Sequence, residues 1–469
     1  MFRFRPILTI LIFCTAMAGC RSGTLIGSQT QNSGNSSVVL AITDLPPSNV
    51  SILSTEVILT GATLNPGNVS IFSGSTTIEL TRLQTDIAYL ATDANIPAGT
   101  YTSVTLTFAN PMLTIENDTG SALASCAVGS ICMVPPTAIA NLSTTVPLTS
   151  FAIAANSTAG LLIDVNLENL LSSALAADFK AGTTVSPFTP AGTGAPLVGA
   201  EDVVGQAGSI SASSNTFTLQ NVTGSFPLKV VNTTTFFQFP SSACATPGFS
   251  CLQANQVLSV DIGIQPDGSL AARNILFEDA DNSDAEIEGM ITSTNVGLQQ
   301  FNIVTLAISA TGSGLNIGDT TTVQYSVAPQ TPFDIDFAHA DNAPVSTAGF
   351  LFAMPSDLTV GQQVSIRRNG ASSASLVKAD RVRLRSSRLS ATEQSVGSPN
   401  IFLYNPPSIF SGHGVTQIQV QTSSPTIFSL NGNAAIFNSI FTGEPLSVRG
   451  PLFNVSGQRT LIATKVVLH

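Results

Sequence analysis

Apolar and polar side chains alternate along most of this chain, in short runs bounded by Gly, Pro, Asn and Ser. Val38 to Thr43 is the first run, and Val50 to Leu64 contains a second, with Val57, Leu59 and the small Gly61 at alternate positions. In Tyr101 to Phe108 the alternation places Val104, Leu106 and Phe108 on one face and Thr105 and Thr107 on the other. Gly160 to Leu167 is a further run. Period-two patterning of this kind predicts strands with one face in a core. Helical spacing occurs at Leu167 to Phe179, where Leu170, Leu171, Ala174, Leu175 and Phe179 would share a face. The pattern therefore predicts an all-β protein with one short helix.

The first twenty residues follow a different rule. Arg3 and Arg5 precede an apolar run from Ile7 to Phe13, and Ala16-Met17-Ala18-Gly19 leads into Cys20. The run is far shorter than the ~20 residues that a membrane-spanning helix needs, so residues 1–19 read as an export signal. A plain secretory signal would need no cysteine at its end. Met17-Ala18-Gly19-Cys20 resembles the bacterial lipobox, and the resemblance implies cleavage before Cys20 and acylation of its thiol. The lipid bilayer is then the expected partner, each buried methylene adding about 0.8 kcal/mol to the anchor. Arg21, in place of an aspartate, favours the outer membrane or cell surface over the inner membrane. Residues 20–37 form the lipidated cysteine and a Gly/Ser/Asn/Gln tether.

Composition narrows the function classes. The chain has 469 residues, of which 43% are hydrophobic and only 10% charged. That is too apolar for a charged disordered tail and too long for a single core. The net charge of -11 argues against a nucleic-acid partner. With Cys14 in the signal and Cys20 at the anchor, Cys126 with Cys132 and Cys244 with Cys251 form two close pairs in loop-like stretches. Local disulfides of an oxidising compartment fit them better than zinc, since no histidine lies near either pair.

A family resemblance covers the first third of the body. Thr43-Asp44-Leu45-Pro46-Pro47 follows the first strand. Leu80-Thr81-Arg82-Leu83 and Ile96-Pro97-Ala98-Gly99-Thr100-Tyr101 come next, then the Val104-x-Leu106-x-Phe108 strand and Leu162-Ile163-Asp164-Val165. This order resembles domain of unknown function 4382, and the resemblance implies a β-sandwich of immunoglobulin or transthyretin type over residues 38–190, with no known catalytic residues. Pro97 and Gly99 are expected to reverse the chain, with Tyr101 packing over the turn.

Beyond the Pro/Gly/Thr-rich segment 183–196, three landmarks recur. Thr235-Phe236, Thr331-Pro332-Phe333 and Thr426-Ile427-Phe428 are the first. Asn255-Gln256-Val257, Gly361-Gln362-Gln363-Val364 and Gly443-Glu444-Pro445-Leu446 are the second. Runs beginning at Leu270, Leu376 and Leu461 are the third. They predict three small β-barrels at 200–280, 285–388 and 390–469, resembling domain of unknown function 5666.

No Gly-x-Ser-x-Gly elbow, phosphate loop or His-Glu-x-x-His is present, so the chain is expected to be non-enzymatic. Two charge clusters stand out. Glu278 to Glu288 is acidic, and Asp279, Asp281, Asp284 and Glu286 are candidate calcium ligands, although the EF-hand order is missing. Arg367, Arg368, Lys378, Arg381, Arg383, Arg385 and Arg388 hold seven of the 17 Lys and Arg. Arg381, Arg383 and Arg385 share one strand face, and phosphate or acidic polysaccharide would be their ligand if that face is open. A structural alternative sets Glu286 and Glu288, on the first strand of the middle barrel, directly opposite these arginines on its last strand. Asp334, Asp336, His339 and Asp341 are a weaker metal set. The expected protein is thus a surface-tethered binding or spacer protein. A polysaccharide-binding accessory or hydrolytic enzyme of the envelope, and an adhesin stalk, are the alternatives, with polysaccharide or an envelope protein as partner.

Overall fold

The computed structural model describes residues 36–45, 51–190, 199–280, 286–309, 314–336 and 347–468, less short gaps at 232, 348, 371, 374, 392–393, 405 and 431–432. The signal segment, Cys20 and the tether as far as residue 35 lie outside the described residues. The architecture is all-β.

The first unit contains β1 (Ser36–Leu45), β2 (Ser51–Asn65), β3 (Val69–Glu79), β4 (Ala88–Ile96) and β5 (Gly99–Glu116). It continues through β6 (Ile131–Val134), β7 (Ile139–Ala140), β8 (Ser143–Ile153), β9 (Thr158–Asn166), β10 (Ala177–Asp178) and β11 (Thr183–Phe188). One sheet has the order β11-β9-β1-β4, and the other the order β3-β2-β5-β6 with β8 also on β5. Leu40 and Ile42 from the first sheet meet Val57, Leu59, Val104, Leu106 and Phe108 from the second. Each such side chain contributes about 1.5–3 kcal/mol by leaving water. The alternation read from the sequence sets which face does so. At the β4–β5 turn the Tyr101 hydroxyl donates to the Pro97 carbonyl at 2.8 Å, fixing the ring over the turn as expected. The Cys126–Cys132 disulfide closes the loop that ends in β6, and Cys244–Cys251 closes a second loop further on.

The predicted helix from Leu167 to Phe179 does not form as one element. Its first turn is helical, α1 (Leu167–Leu170), capped by the Asn166 side chain. Leu171 is already extended, and Leu175 takes a positive φ of 60°. Ser172 is the reason: its carbonyl accepts from the Leu175 amide and its hydroxyl from the Ala176 amide. Such local bonds compete with helix propagation. Phe179 instead opens α2 (Phe179–Gly182) and stacks on Phe108, centroids 4.7 Å apart.

Three further units share one topology. The first holds β12 (Gly199–Ser211), β13 (Thr216–Asn221), β14 (Gly224–Val230), β15 (Phe236–Gln238), β16 (Val257–Ile264) and β17 (Leu270–Asp279). The order β14-β13-β12-β16-β17 is closed into a barrel by a parallel β14–β17 pairing, and β15 adds to β17. The second repeats this with β18 (Glu286–Asn295), β19 (Gln300–Ile308), β20 (Thr320–Gln324), β21 (Phe333–Ile335), β22 (Gln363–Arg368) and β23 (Leu376–Leu384). The third interrupts both ends. Its opening strand is divided into β24 (Ser386–Ala391) and β25 (Gln394–Gly397), followed by β26 (Asn400–Tyr404) and, after the one-turn α3 (Ser408–Ser411), by β27 (Gln417–Gln421). After β28 (Ile427–Leu430), β29 (Asn433–Ala435) and β30 (Leu446–Val455), the closing run from Leu461 is not one strand. It spans β31 (Gln458–Ile462) and β32 (Lys465–Leu468). The pairings are nonetheless equivalent: β24 and β31 flank β30, and β27–β31 is parallel.

The sequence landmarks perform the same tasks in each barrel. Thr235, Thr331 and Thr426 donate to the carbonyls of Ala272, Ala379 and Ala463, at 2.6, 3.1 and 2.7 Å. Each hydroxyl also accepts from a backbone amide just upstream. Asn255, Gly361 and Gly443 hold φ of 72, 86 and 90°, a region that disfavours most side chains. The Gln256, Gln362 or Glu444 that follows accepts from an earlier amide and closes the turn.

Barrel closure corrects one expectation. The first strand of the middle barrel, β18, pairs with β19 and β22, and its last strand, β23, pairs with β22, β20 and β21. Glu286 is therefore opposite Arg367, not opposite the arginine stripe.

Candidate functional site

The acidic cluster and the arginine stripe meet although their strands do not pair. Val377, Val382 and Leu384 of β23 point into the barrel core. Arg381 and Arg383 take the opposite face, and Arg385 follows directly after the strand. Outside the barrel these arginines reach Glu278, at the end of the preceding barrel's β17. Glu278 has 0% side-chain exposure and bonds Arg381, together with Arg383 and Arg385 at 3.0 Å each. Burial raises its pKa, but Arg383, Arg385 and Arg381 together outweigh burial and hold it below the usual value. Glu286 Oε1 accepts from the Ser365 hydroxyl at 2.7 Å and lies 3.5 Å from Arg381. Burial, and then repulsion by Glu278, pushes its carboxyl up to about 7.

The candidate calcium ligands are thus divided. Asp279 lies 3.6 Å from Arg367 and Glu286 faces Ser365 and Arg381. Asp281 and Asp284 lie outside the described residues. Asp334 accepts from Arg383 at 2.7 Å and Asp336 pairs with Arg385, while His339 and Asp341, proposed with them as a metal set, lie outside the described residues. Among the described residues no group of three or more His, Cys, Asp or Glu is arranged to hold a metal. The face of Arg381, Arg383 and Arg385 is engaged by internal carboxylates, so it does not form the open stripe that an external anion would use.

The pairing continues inward. Arg385 reaches Glu288 at 3.0 Å and Asp202 at 3.8 Å. Asp202 sits at a register shift in β12 with φ of 55°. Such bulges re-aim side chains, and Glu201 and Asp202 both reach Arg449 of β30, Asp202 at 2.6 Å. Arg388 of β24 donates to Asp86 at 2.8 Å, across 302 positions of sequence. Lys465 of β32 is 3.7 Å from the same carboxylate. Burial opposes the charge on Asp86, but Arg449, Arg388 and Lys465 prevail and hold its pKa far below the usual carboxylate range. Arg82, ahead of β4, binds Glu288 at 2.9 Å and the Asp202 carbonyl at 3.0 Å. The sandwich and all three barrels contribute to this one buried network.

Beside it lies a cavity of about 120 Å³. Ile78, Leu83 and Ile87 of the sandwich line it with Val204 and Ile262 of the first barrel and Leu306 and Ile308 of the second. Glu79, Arg82, Asp86, Glu201 and Arg388 are the charged members of its lining.

Residues 35–185 match the family model described as Domain of unknown function (DUF4382). The match covers the sandwich, in agreement with the resemblance drawn from its motifs. No curated protein matches the chain. Within the DUF4382 region, the Leu80-Thr81-Arg82-Leu83 motif is a 3-10 turn capped by Glu79, whose carboxylate accepts from the Thr81 and Arg82 amides at 3.3 and 2.9 Å. That turn aims Arg82 at Glu288 and is followed by Asp86. Arg82 of this motif and Asp86, just beyond it, thus supply the sandwich's share of the junction.

Sequence reasoning missed Asp86, Glu201, Asp202 and Arg449 as participants. Each is unremarkable among its sequence neighbours. The usable signal was composition: with only 10% charged residues each charge is conspicuous, and any that is buried requires a partner. His413, a histidine within the described residues, has Nδ1 3.1 Å from the Ile409 carbonyl.

Proposed function

We propose that this protein is a non-enzymatic, lipid-anchored protein of the bacterial cell envelope, in which one sandwich and three barrels form a rigid spacer carrying a binding site away from the bilayer. The buried ionic junction is the observation that carries this reading. Flexible beads on a string would need no such network, and inter-domain motion is the default unless an interface opposes it. Separating the units strips buried charges of their counter-charges, so relative movement of the units is costly. The Met17-Ala18-Gly19-Cys20 lipobox supports acylation, and Arg21 supports the outer membrane or cell surface. The shared pairings of the three barrels support their resemblance to domain of unknown function 5666.

Polysaccharide binding is a second reading, favoured by the outer face of the sandwich. There Thr145, Thr105, Thr63 and Ser70 form one cross-strand row and Ser143, Thr107, Gly61 and Ser73 another. Both rows are free of charge, and Thr105 and Thr145 are 2.9 Å apart.

Labelling of expressing cells with radioactive palmitate tests the anchor. The full chain is expected to take up label and fractionate with membranes, and Cys20→Ala to do neither. An unlabelled wild-type chain would overturn the lipoprotein reading.

A further inference from the structure

We infer that the cavity between the sandwich, the first barrel and the second barrel is a binding site for a small uncharged lipophile, of the size of a single aromatic ring. This deepens the binding role proposed above by naming a ligand class, and it does not depend on the lipid anchor.

Size, lining and charge each limit the occupant. The cavity volume of about 120 Å³ is close to the ~150 Å³ of an engineered cavity that takes up benzene and stays dry when empty. Its walls are closely held: Ile78, Ile87 and Val204 are 3, 1 and 1% exposed, and Ile262, Leu306 and Ile308 are 2, 4 and 2% exposed. These six side chains form a buried apolar floor, while Tyr89, Val222 and Phe226 of the lining are partly exposed, so the cavity is open to water on one side. Filling it recovers dispersion contacts that its lining otherwise lacks.

The charged members of the lining argue against an ionic ligand. The lining sets Arg82 and Arg388 against Glu79, Asp86 and Glu201, and these groups are already engaged, Glu79 by the Thr55, Thr81 and Arg82 amides. Arg82 bonds Glu288 at 2.9 Å, Arg388 bonds Asp86 at 2.8 Å, and Glu201 pairs with Arg449. A carboxylate or ammonium entering here would leave water without gaining a free counter-charge. A neutral ring needs none, and Thr77 and Thr223 in the lining can bond one hydroxyl of a phenol. Since the walls come from three units, the site exists only while the junction holds them together.

Titration calorimetry of the purified full chain with toluene, phenol and benzoate tests this. Toluene and phenol are expected to bind saturably with one site per chain, and benzoate to bind at least about tenfold more weakly. Leu306→Trp, which fills the cavity from the second barrel, and Leu83→Trp, which fills it from the sandwich, are each expected to abolish toluene binding. Thermal unfolding identifies a variant that fails to fold, and the other then decides. Cys20→Ala should bind as the wild type does, so loss of anchoring and loss of the site are read separately. Absence of saturable toluene binding by the wild type would overturn the inference. So would unchanged binding by a folded Trp variant, or benzoate binding as tight as that of toluene.

Discussion

The outer face of the sandwich and the outer face of the middle barrel are built on the same strand alternation, yet they invert the usual relation between charge and water. On the sandwich, Thr105, Thr145 and Ser70 face outward and the rows they form contain no ionic side chain. On the middle barrel the outward positions carry Arg381 and Arg383, with 11 and 13% side-chain exposure, and Arg385 beside them has 3%. Solubility of the exposed face rests on hydroxyls. Among the described residues a cluster of buried charges lies where units touch, while Lys180, Lys229, Asp267 and Asp380 stay exposed. A period-two pattern identifies the face that leaves a strand's own core but not whether that face meets water or another unit.

Truncating a junction arginine breaks that comparison most severely. Arg385→Ala removes a buried guanidinium that Glu278, Glu288 and Asp336 share, while Glu278 keeps Arg381 and Arg383 and Glu288 keeps Arg82. The expected loss is about 3–5 kcal/mol, measured by urea unfolding, against little change for Thr105→Ala. A smaller effect comes from Glu286. Its carboxyl is raised from 4.5 to about 7, so its contribution is fully present below the unfolded value and is lost as pH rises through the folded one. Glu286→Gln is therefore expected to flatten the fall in stability between about pH 4.5 and 7, read from urea midpoints across that range. Asp86 has the opposite sign: its folded pKa is depressed, so its contribution is present above the usual carboxylate range and is lost on acidification. The smallest effect is on the sandwich face itself, where Thr105→Ala should stay within about 0.5 kcal/mol. A loss comparable to that of Arg385→Ala would mean that the hydroxyl rows are structural.

Much of this was legible in the chain. Val104, Leu106 and Phe108 announced their buried face because a strand has one periodicity. Thr235, Thr331 and Thr426 announced the repeat because each makes the same pair of hydrogen bonds. The charge clusters were legible as exceptions to a charge-poor composition, but their partners were not. The assumed pairing of terminal strands failed because β14, β20 and β27 take the closing positions. Glu278 reaches across to the next barrel, a relation that strand patterning within one unit does not contain. Arg388 with Asp86 and Arg449 with Asp202 join positions 302 and 247 residues apart, beyond the reach of any local pattern. The helix from Leu167 was misread because Leu spacing outweighed Ser172, whose local hydrogen bonds end the turn.

The central claim is that buried charge pairs bind the sandwich to the barrels. A double-mutant cycle on Asp86 and Arg388, using Asp86→Ala, Arg388→Ala and the pair in urea unfolding, tests it most directly. A buried, hydrogen-bonded pair predicts a coupling energy of about 1–3 kcal/mol, with the double variant more stable than the sum of the single losses implies. Additivity within about 0.3 kcal/mol, as for independent sites, would contradict the account.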